Sequence, residues 1–244
     1  MKGITLEIAE ALALKMRASL RLSESEPVNL KTVLRLQGII ALYRPLSDAL
    51  YGLSMKSSDG KCRFILINSN TTRGRQHFTV AHELYHLYYD ENPHPHFCRE
   101  GMLDESERSA NAFARAFLMP KAALVQLMSP SDLATRNVDL STLFSMEALF
   151  GVSHSALLVR LKELKLISKE CYDRSLNIRV SAEAHLRGYD TELYKPGNEG
   201  LVIGDFGAKA RELYDREIIS EGHYVELLNM IGYGRGEGED SSGC

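Results

Sequence analysis

The 244-residue sequence lacks both a large excess of one charge and a long apolar run. With 29 basic and 32 acidic residues, its formal net charge is −3, so no general attraction to nucleic acids or anionic membranes is expected. No uninterrupted apolar stretch approaches the roughly 20 residues of a membrane-spanning helix. The N-terminal segment carries Glu7, Glu10, Lys15 and Arg17 in an amphipathic pattern, which is not typical of a signal peptide. The sequence therefore predicts no membrane association.

Cysteine is also scarce, and no two cysteines form a CxxC pair. The four are widely separated, at Cys62, Cys98, Cys171 and Cys244. This pattern favours free thiols in a reducing cytoplasm over a disulfide framework. The remaining composition, 44% hydrophobic and 25% charged, is that of an ordinary globular protein with one or two domains.

The most informative motif of the sequence is HExxH, at residues 82–86. His82 and His86 lie about one helical turn apart, so both imidazoles project from one face and can bind one Zn²⁺. Glu83 lies beside them and can act as a general base on a metal-coordinated water. The alternative is an exposed surface helix, on which these histidines would have no functional role. Apolar residues at helical spacing instead predict a partly buried helix, where unpaired polar groups are costly, and favour a metal-dependent peptidase.

A third metal ligand is expected from the next predicted helix, residues 104–118, which Pro120 ends. At about 100° per residue, Glu107 lies about 20° from the apolar Ala114, whereas Glu105 lies about 180° from it and faces solvent. Asp104 stands at the helix start and is better explained as a cap. Glu107 is therefore the predicted ligand. The alternative for Glu107 is an acid favoured by the helix dipole.

The segment between the two helices contributes further candidates. His94 and His96 stand in Asn92-Pro-His-Pro-His-Phe97, where two prolines predict a loop. These histidines could contact substrate or polarise its carbonyl group, but simple solvation is the favoured interpretation. A Cys98 thiolate could occupy the open metal position as an inhibitory, redox-sensitive ligand. A small apolar filler is the favoured interpretation of Cys98.

Two sequence blocks occur in order and are far more specific than HExxH alone. The first is Arg75-Gln-His-Phe-Thr-Val-Ala-His-Glu-Leu-Tyr-His86, and the second is Glu107-Arg-Ser-Ala-Asn-Ala-Phe-Ala-Arg-Ala-Phe-Leu-Met-Pro120. Together they resemble the ImmA/IrrE family of zincin-type metallo-endopeptidases. The sequence departs from the family pattern at Tyr85, where glycine is usual, and at Phe117, where leucine is usual. Tyr85 adds bulk that either narrows the cleft or faces the core.

The resemblance implies a zinc site, with Mn²⁺ as an alternative metal. It makes His82, His86 and Glu107 the ligands and Glu83 the catalytic base. It also implies a protein substrate, namely a helix-turn-helix repressor or antitoxin encoded nearby, whose cleavage derepresses genes of stress response or mobile elements. Asn111 is a candidate for orienting a ligand, and a cap of the local backbone is an equal alternative. The residues do not choose the donor that stabilises the oxyanion; the candidates are Tyr85, Tyr88, Tyr89, His94 and His96.

The predicted fold class is α+β, with a zincin-like minimal metallopeptidase domain in residues 1–128. Helices are expected at 6–20 and from residue 27, and strands at 39–43, 49–55 and 63–68. The strand at 63–68 is expected to form an edge beside the cleft, where an extended substrate could add.

A mainly helical, helix-turn-helix-like module is expected in residues 129–174, with Gly151 and Ser153 at the turn. Four basic and four acidic residues between 139 and 170 leave DNA binding open, and a packing or partner-docking role is equally compatible. The alternative function is therefore a non-catalytic DNA-binding or docking regulator with a zincin-like sensor. Residues 175–231 are predicted to be mostly helical, with two helices in 205–230, and 232–244 to be a disordered tail.

Overall fold

The computed structural model describes residues 5–90, 95–99, 101 and 104–231. His94, Cys244 and the predicted tail at 232–244 lie outside these residues. The N-terminal part mixes helices and strands, and the predicted α+β class is confirmed. Its elements are α1 (Leu6–Ser19), α2 (Leu30–Leu36), β1 (Ile39–Arg44), β2 (Leu50–Lys56), β3 (Arg63–Asn68), α3 (Arg73–Tyr89), β4 (His96–Arg99) and α4 (Glu105–Leu118).

The part after α4 is mainly helical, as predicted, and contributes one short strand to the sheet. Its α-helices and strand are α5 (Lys121–Leu127), α6 (Pro130–Thr135), α7 (Leu140–Phe150), α8 (His154–Glu163), α9 (Lys169–Leu176), α10 (Val180–Leu186), β5 (Val202–Ile203), α11 (Phe206–Asp215) and α12 (Glu221–Met230). The two helices expected in 205–230 are α11 and α12. A short 3₁₀ turn at Glu192–Tyr194 precedes β5.

The five strands are ordered β4-β2-β3-β1-β5. β3 pairs in parallel with β1 and antiparallel with β2, so the prediction that residues 63–68 form an edge is wrong. The edge strands are β4 and β5, and β4 follows α3 in the chain and pairs antiparallel with β2. The predicted loop around residue 96 is also corrected, because the strand begins just after Pro95, where backbone N–H donors are again available.

Helix α3 lies directly on β2. Its first turn is capped by Thr72, whose side chain accepts a hydrogen bond from the Arg75 amide. A Cβ atom at Gly52 on β2 would lie 2.7 Å from Thr79 Cγ2 and 2.8 Å from the Leu66 carbonyl oxygen. Glycine at this position therefore permits the close approach of α3 to β2, which places Glu83 against the sheet.

Two buried arginines hold the C-terminal end of α4. Arg17 Nη1 donates to the Phe117 carbonyl at 2.7 Å, and Arg160 Nε donates to the Met119 carbonyl at 3.0 Å. Cations stabilise this end of a helix, where carbonyl groups lack helical partners. Arg160 also forms an ion pair with Glu10 of α1. These contacts tie α1, α4 and α8 together and fix the helix that carries Glu107.

The helix-turn-helix-like segment shares the hydrophobic core of the N-terminal part. Leu143 and Leu157 belong to the same buried cluster as Leu84 and Phe113. The predicted turn chemistry is confirmed, because α7 ends at Gly151 in the left-handed conformation and Ser153 caps α8. The domain boundary at 128–129 stays a prediction, although no break in the core marks it.

No single helix of the described residues is both long and apolar enough to cross a membrane. The bent pair α7–α8, with 104° between its helices, meets that test by length and composition only.

Candidate metal centre

Two helices bring three ligand-type side chains together beneath the sheet edge. His82 and His86 project from α3, and Glu107 faces them from the first turn of α4. His82 Nε2 lies 3.1 Å from His86 Nε2 and 3.4 Å from Glu107 Oε2. His86 Nε2 lies 3.6 Å from Glu107 Oε1. All three side chains are buried.

These distances match the donor set of a divalent metal. Tetrahedral zinc ligands at about 2.0–2.1 Å from the ion lie about 3.3 Å from one another. The three measured separations, 3.1, 3.4 and 3.6 Å, bracket that value. Two imidazoles and a carboxylate are also the ligand types that Zn²⁺ takes in hydrolytic sites. The residues present therefore fit a metal held by His82, His86 and Glu107.

Each motif histidine has an acceptor behind it. His82 Nδ1 lies 3.1 Å from Asn111 Oδ1, and His86 Nδ1 lies 2.5 Å from Asp90 Oδ2. A proton on each Nδ1 leaves the Nε2 lone pair directed at the metal position. Asn111 was a predicted candidate for this role. Asp90 was missed, although its position four residues after His86 on the same helical face could have revealed it.

Asp104 and Glu105 lie where helical phase predicted them. Asp104 is the N-cap of α4, and its side chain accepts a hydrogen bond from the Glu107 amide at 2.9 Å. Glu105 is exposed, whereas Glu107 is buried. The cap thus helps to position the first turn of α4, from which Glu107 enters the cluster.

Glu83 is fully buried beside the cluster. Ser54 on β2 donates a hydrogen bond to Glu83 Oε2 at 2.5 Å. Within the described residues, Glu83 Oε1 is buried without a hydrogen-bond partner. A buried carboxylate with one unused oxygen is suited to accept a proton during catalysis. Ser54 could not be found from sequence spacing, because only sheet formation brings β2 next to α3.

His96 enters the cluster from β4. It lies opposite Ser54 in the antiparallel pairing, with its side chain on the face that meets α3. Its Nε2 is 2.6 Å from Glu107 Oε1, and its ring stacks on His86 with centroids 3.4 Å apart. The favoured interpretation of a solvated loop histidine was wrong, because strand pairing with β2 directs this side chain inward.

Charge coupling shifts the pKa values of the cluster. Burial lowers the pKa of His96, but hydrogen bonds and charges from Glu107 and Glu83 outweigh it and raise that pKa to about 9. Burial opposes ionisation of Glu107, yet its bonds to His82 and His96 hold its pKa below the usual range. Burial also lowers the pKa of His82, but its interactions with Cys98 and Glu107 outweigh burial and raise that pKa, so metal binding at His82 would release a proton. Burial lowers the pKa of His86.

Tyr85, the departure from the family pattern, faces the core between α3 and α4. Its ring lies 5.8 Å from that of Phe113, and it meets the His86 ring edge-on. Of the two outcomes expected for its bulk, the structure therefore shows the core-facing one.

Tyr88 and Tyr89 also direct their hydroxyls away from the metal ligands. Tyr88 donates to Gln37 Oε1 at 2.7 Å, and Tyr89 donates to the Leu12 carbonyl at 3.3 Å. Among the described candidates for the oxyanion donor, only His96 reaches the cluster. His94 lies outside the described residues.

Cys98 is buried on the same side of β4 as His96. One ligand atom from each of Cys98, His82 and Glu83 falls within 4.8 Å of the others. The thiol therefore lies beside His82, but it does not join the group formed by His86 and Glu107. Its inhibitory role stays a prediction.

Comparison with known protein families identifies the family to which the domain with this cluster belongs. A family model described as the IrrE N-terminal-like domain, peptidase M78, matches residues 37–162, just over half of the chain. The chain belongs to this family. The IrrE-like domain extends from the residues just before β1 into α8 and includes His82, Glu83, His86 and Glu107. The predicted zincin-like fold and ImmA/IrrE resemblance are confirmed, and the family is one of metal-dependent peptidases.

The IrrE-like domain also crosses the boundary predicted at 128–129. No curated protein matches the chain.

Proposed function

We propose that the protein is a zinc-dependent endopeptidase. The observation that carries the proposal is the geometry of the buried cluster. The Nε2 atoms of His82 and His86 lie 3.1 Å apart and within 3.4 to 3.6 Å of the Glu107 carboxylate oxygens, next to Glu83. Glu83 is fully buried and keeps one oxygen without a partner among the described residues. A structural metal site would not need this additional carboxylate.

The chemistry divides between the metal and the protein side chains. Zn²⁺ bound by His82, His86 and Glu107 would act as a Lewis acid and lower the pKa of a coordinated water to about 7. Glu83 accepts the proton of the attacking water at its carboxylate and delivers it to the leaving amine. Asn111 and Asp90 hold the two histidine rings in the required orientation.

The sheet edge supplies a place for an extended substrate. Among the described strands, β4 pairs with β2 alone, so its outer edge is available for backbone hydrogen bonds to a peptide. A pocket beside the cluster is lined by His82 and Glu107 together with Arg75 and Arg99. The two arginines favour an acidic side chain of the substrate near the cleaved bond.

The substrate class follows from the family resemblance. We propose a cytoplasmic helix-turn-helix repressor or antitoxin encoded near this gene, whose cleavage derepresses transcription. Arg160, one of the four basic residues of the 139–170 segment, is fully buried and paired with Glu10, so it is not available to DNA. This supports the peptidase over the alternative of a non-catalytic DNA-binding regulator.

The test is cleavage of the neighbouring repressor by the full chain with Zn²⁺ or Mn²⁺. We expect the wild type to cut the repressor and Glu83→Gln to be inactive while still binding metal. The matched control is Glu105→Gln, which changes an exposed glutamate on α4 and should cut normally. Cleavage by Glu83→Gln, or specific DNA binding by a wild type that never cuts, would refute the proposal.

A further inference from the structure

The metal cluster contains one ligand-type side chain more than a catalytic site uses. One donor atom from each of His82, His86, His96 and Glu107 lies within 4.8 Å of all the others. Catalytic zinc sites have three protein ligands and an open position for water, whereas four protein ligands close the coordination sphere. His96 therefore needs an explanation beyond the three-ligand site.

We propose that His96 is a fourth protein ligand, and that β4 thereby holds the metal site in a closed, latent form. The inference rests on the proposed peptidase function, because it concerns the regulation of the same centre. Its first support is position. His96 Nε2 lies 2.6 Å from Glu107 Oε1, on the side of the cluster that faces β4, and the ring stacks on His86.

The second support is the outer nitrogen of the ring. His96 Nδ1 lies 3.3 Å from Glu83 Oε2, so a proton on Nδ1 leaves the Nε2 lone pair free for a metal. His82 and His86 have the same arrangement, with Asn111 and Asp90 as their acceptors. All three histidines are thus prepared as ligands in one way.

This arrangement also occupies the general base. Glu83 Oε2 accepts a hydrogen bond from the Ser54 hydroxyl and also lies next to His96 Nδ1. In the closed form His96 fills the position that water needs and contacts the carboxylate that would activate the water. Hydrolysis then requires His96 to leave, and a peptide pairing with the outer edge of β4 would contact the element that carries it.

Cys98 is the competing candidate for the fourth position. It faces inward on the same strand, but its nearby ligand-type groups are His82 and Glu83 rather than His86 and Glu107. A sulfur ligand is distinguishable from nitrogen, because zinc–sulfur bonds are about 2.3 Å and zinc–nitrogen bonds about 2.0–2.1 Å long.

The test is X-ray absorption spectroscopy of the zinc-loaded full chain, combined with zinc titration against a competing chelator. The matched variant is His96→Phe, which keeps an aromatic ring against His86 but has no ligand nitrogen. We expect three imidazoles around zinc in the wild type and two in His96→Phe. We also expect about a tenfold or larger loss of zinc affinity in His96→Phe, with faster repressor cleavage. Phe97→Ala, on the opposite face of β4, controls for damage to the strand and should keep three imidazoles.

Three results are decisive against the inference. Two imidazoles in wild-type spectra refute the fourth ligand without requiring any variant to fold. A scatterer at the sulfur distance assigns the position to Cys98 and equally refutes it. Unchanged zinc affinity in a folded His96→Phe variant would also refute His96 as the fourth ligand. Three imidazoles with no cleavage by any variant would instead retain the ligand and reject the peptidase function.

Discussion

The described residues include two buried clusters of histidine and glutamate, and these clusters differ in how the ring nitrogens are used. In the metal cluster, the Nε2 atoms of His82 and His86 face each other at 3.1 Å. In the second cluster, His154 Nδ1 contacts Glu147 Oε1 at 2.5 Å and His154 Nε2 contacts the Ser175 carbonyl at 2.8 Å. Both nitrogens of His154 therefore have acceptors, whereas the metal cluster has inward nitrogens that only a cation or protons can satisfy.

The charge state of each cluster follows the same distinction. Burial lowers the pKa of His154, but its hydrogen bond to Glu147 and the charge of that carboxylate outweigh burial and raise the pKa. Glu147 also accepts a hydrogen bond from the Tyr194 hydroxyl at 2.8 Å. This second cluster is a complete ion pair that needs no metal. A buried histidine is thus a candidate metal ligand only when the sole acceptors near its inner nitrogen are the other metal-ligand side chains.

The largest expected difference between the clusters is in bound metal. We expect His86→Ala to lose stoichiometric zinc on dialysis, because His86 is a ligand both in the three-ligand site and in the closed form with His96. His154→Ala should bind zinc at the wild-type level. The measurement is the metal content of the folded proteins after dialysis, determined by mass spectrometry. Zinc retained by His86→Ala, or lost from a folded His154→Ala, would contradict the distinction.

Metal removal should affect stability through the first cluster alone. Zinc at 100 times its dissociation constant stabilises the folded state by about 2.7 kcal/mol if it does not bind the unfolded chain. We expect a chelator to lower the unfolding temperature of the wild type and of His154→Gln, but not that of His86→Ala. Calorimetry with and without chelator measures the shift. An equal shift in His86→Ala would show that the metal binds elsewhere.

The outer acceptors should have a smaller effect on zinc. We expect Asn111→Ala and Asp90→Asn each to weaken zinc affinity about 10- to 100-fold, because they leave His82 or His86 without its orienting partner. Glu147→Gln changes the acceptor of His154 and should leave zinc affinity unchanged. Competition with a chromophoric chelator gives the affinities. If Glu147→Gln weakened zinc as much as Asp90→Asn, the two clusters would not be independent.

The parts of the site that sequence could predict are those within single helices. A repeat of 3.6 residues suffices to put His82 and His86 on one face of α3 and Glu107 on the buried side of α4. The N-cap role of Asp104 follows from the same local rules. Asp90 obeys the i, i+4 rule with His86 as well, so the same pattern also contains this acceptor.

The parts that sequence did not reveal depend on contacts between distant segments. His96 and Ser54 meet Glu83 only because β4 pairs with β2, although the whole of α3 separates these strands in the sequence. The order of strands depends on which distant segments pair, and the alternation within one strand does not identify its partners, which is why β3 was mistaken for the edge. Buried Arg17 and Arg160 were equally invisible, because charged side chains are ordinarily exposed.

The smallest expected effect is a pH dependence that belongs to the second cluster. The folded pKa of His154 is raised above the ordinary value of 6.5, so the protonated pair stabilises the fold fully below that value. Its contribution is lost as the pH rises through the folded pKa. We expect the wild-type unfolding free energy to fall more between neutral and mildly alkaline pH than that of His154→Gln. Denaturant unfolding of both proteins at matched pH values, with chelator present throughout, measures the difference. The metal cluster titrates identically in both proteins, so the difference isolates the contribution of His154 to the unfolding free energy. Parallel pH profiles would show that the His154–Glu147 pair does not couple protonation to folding.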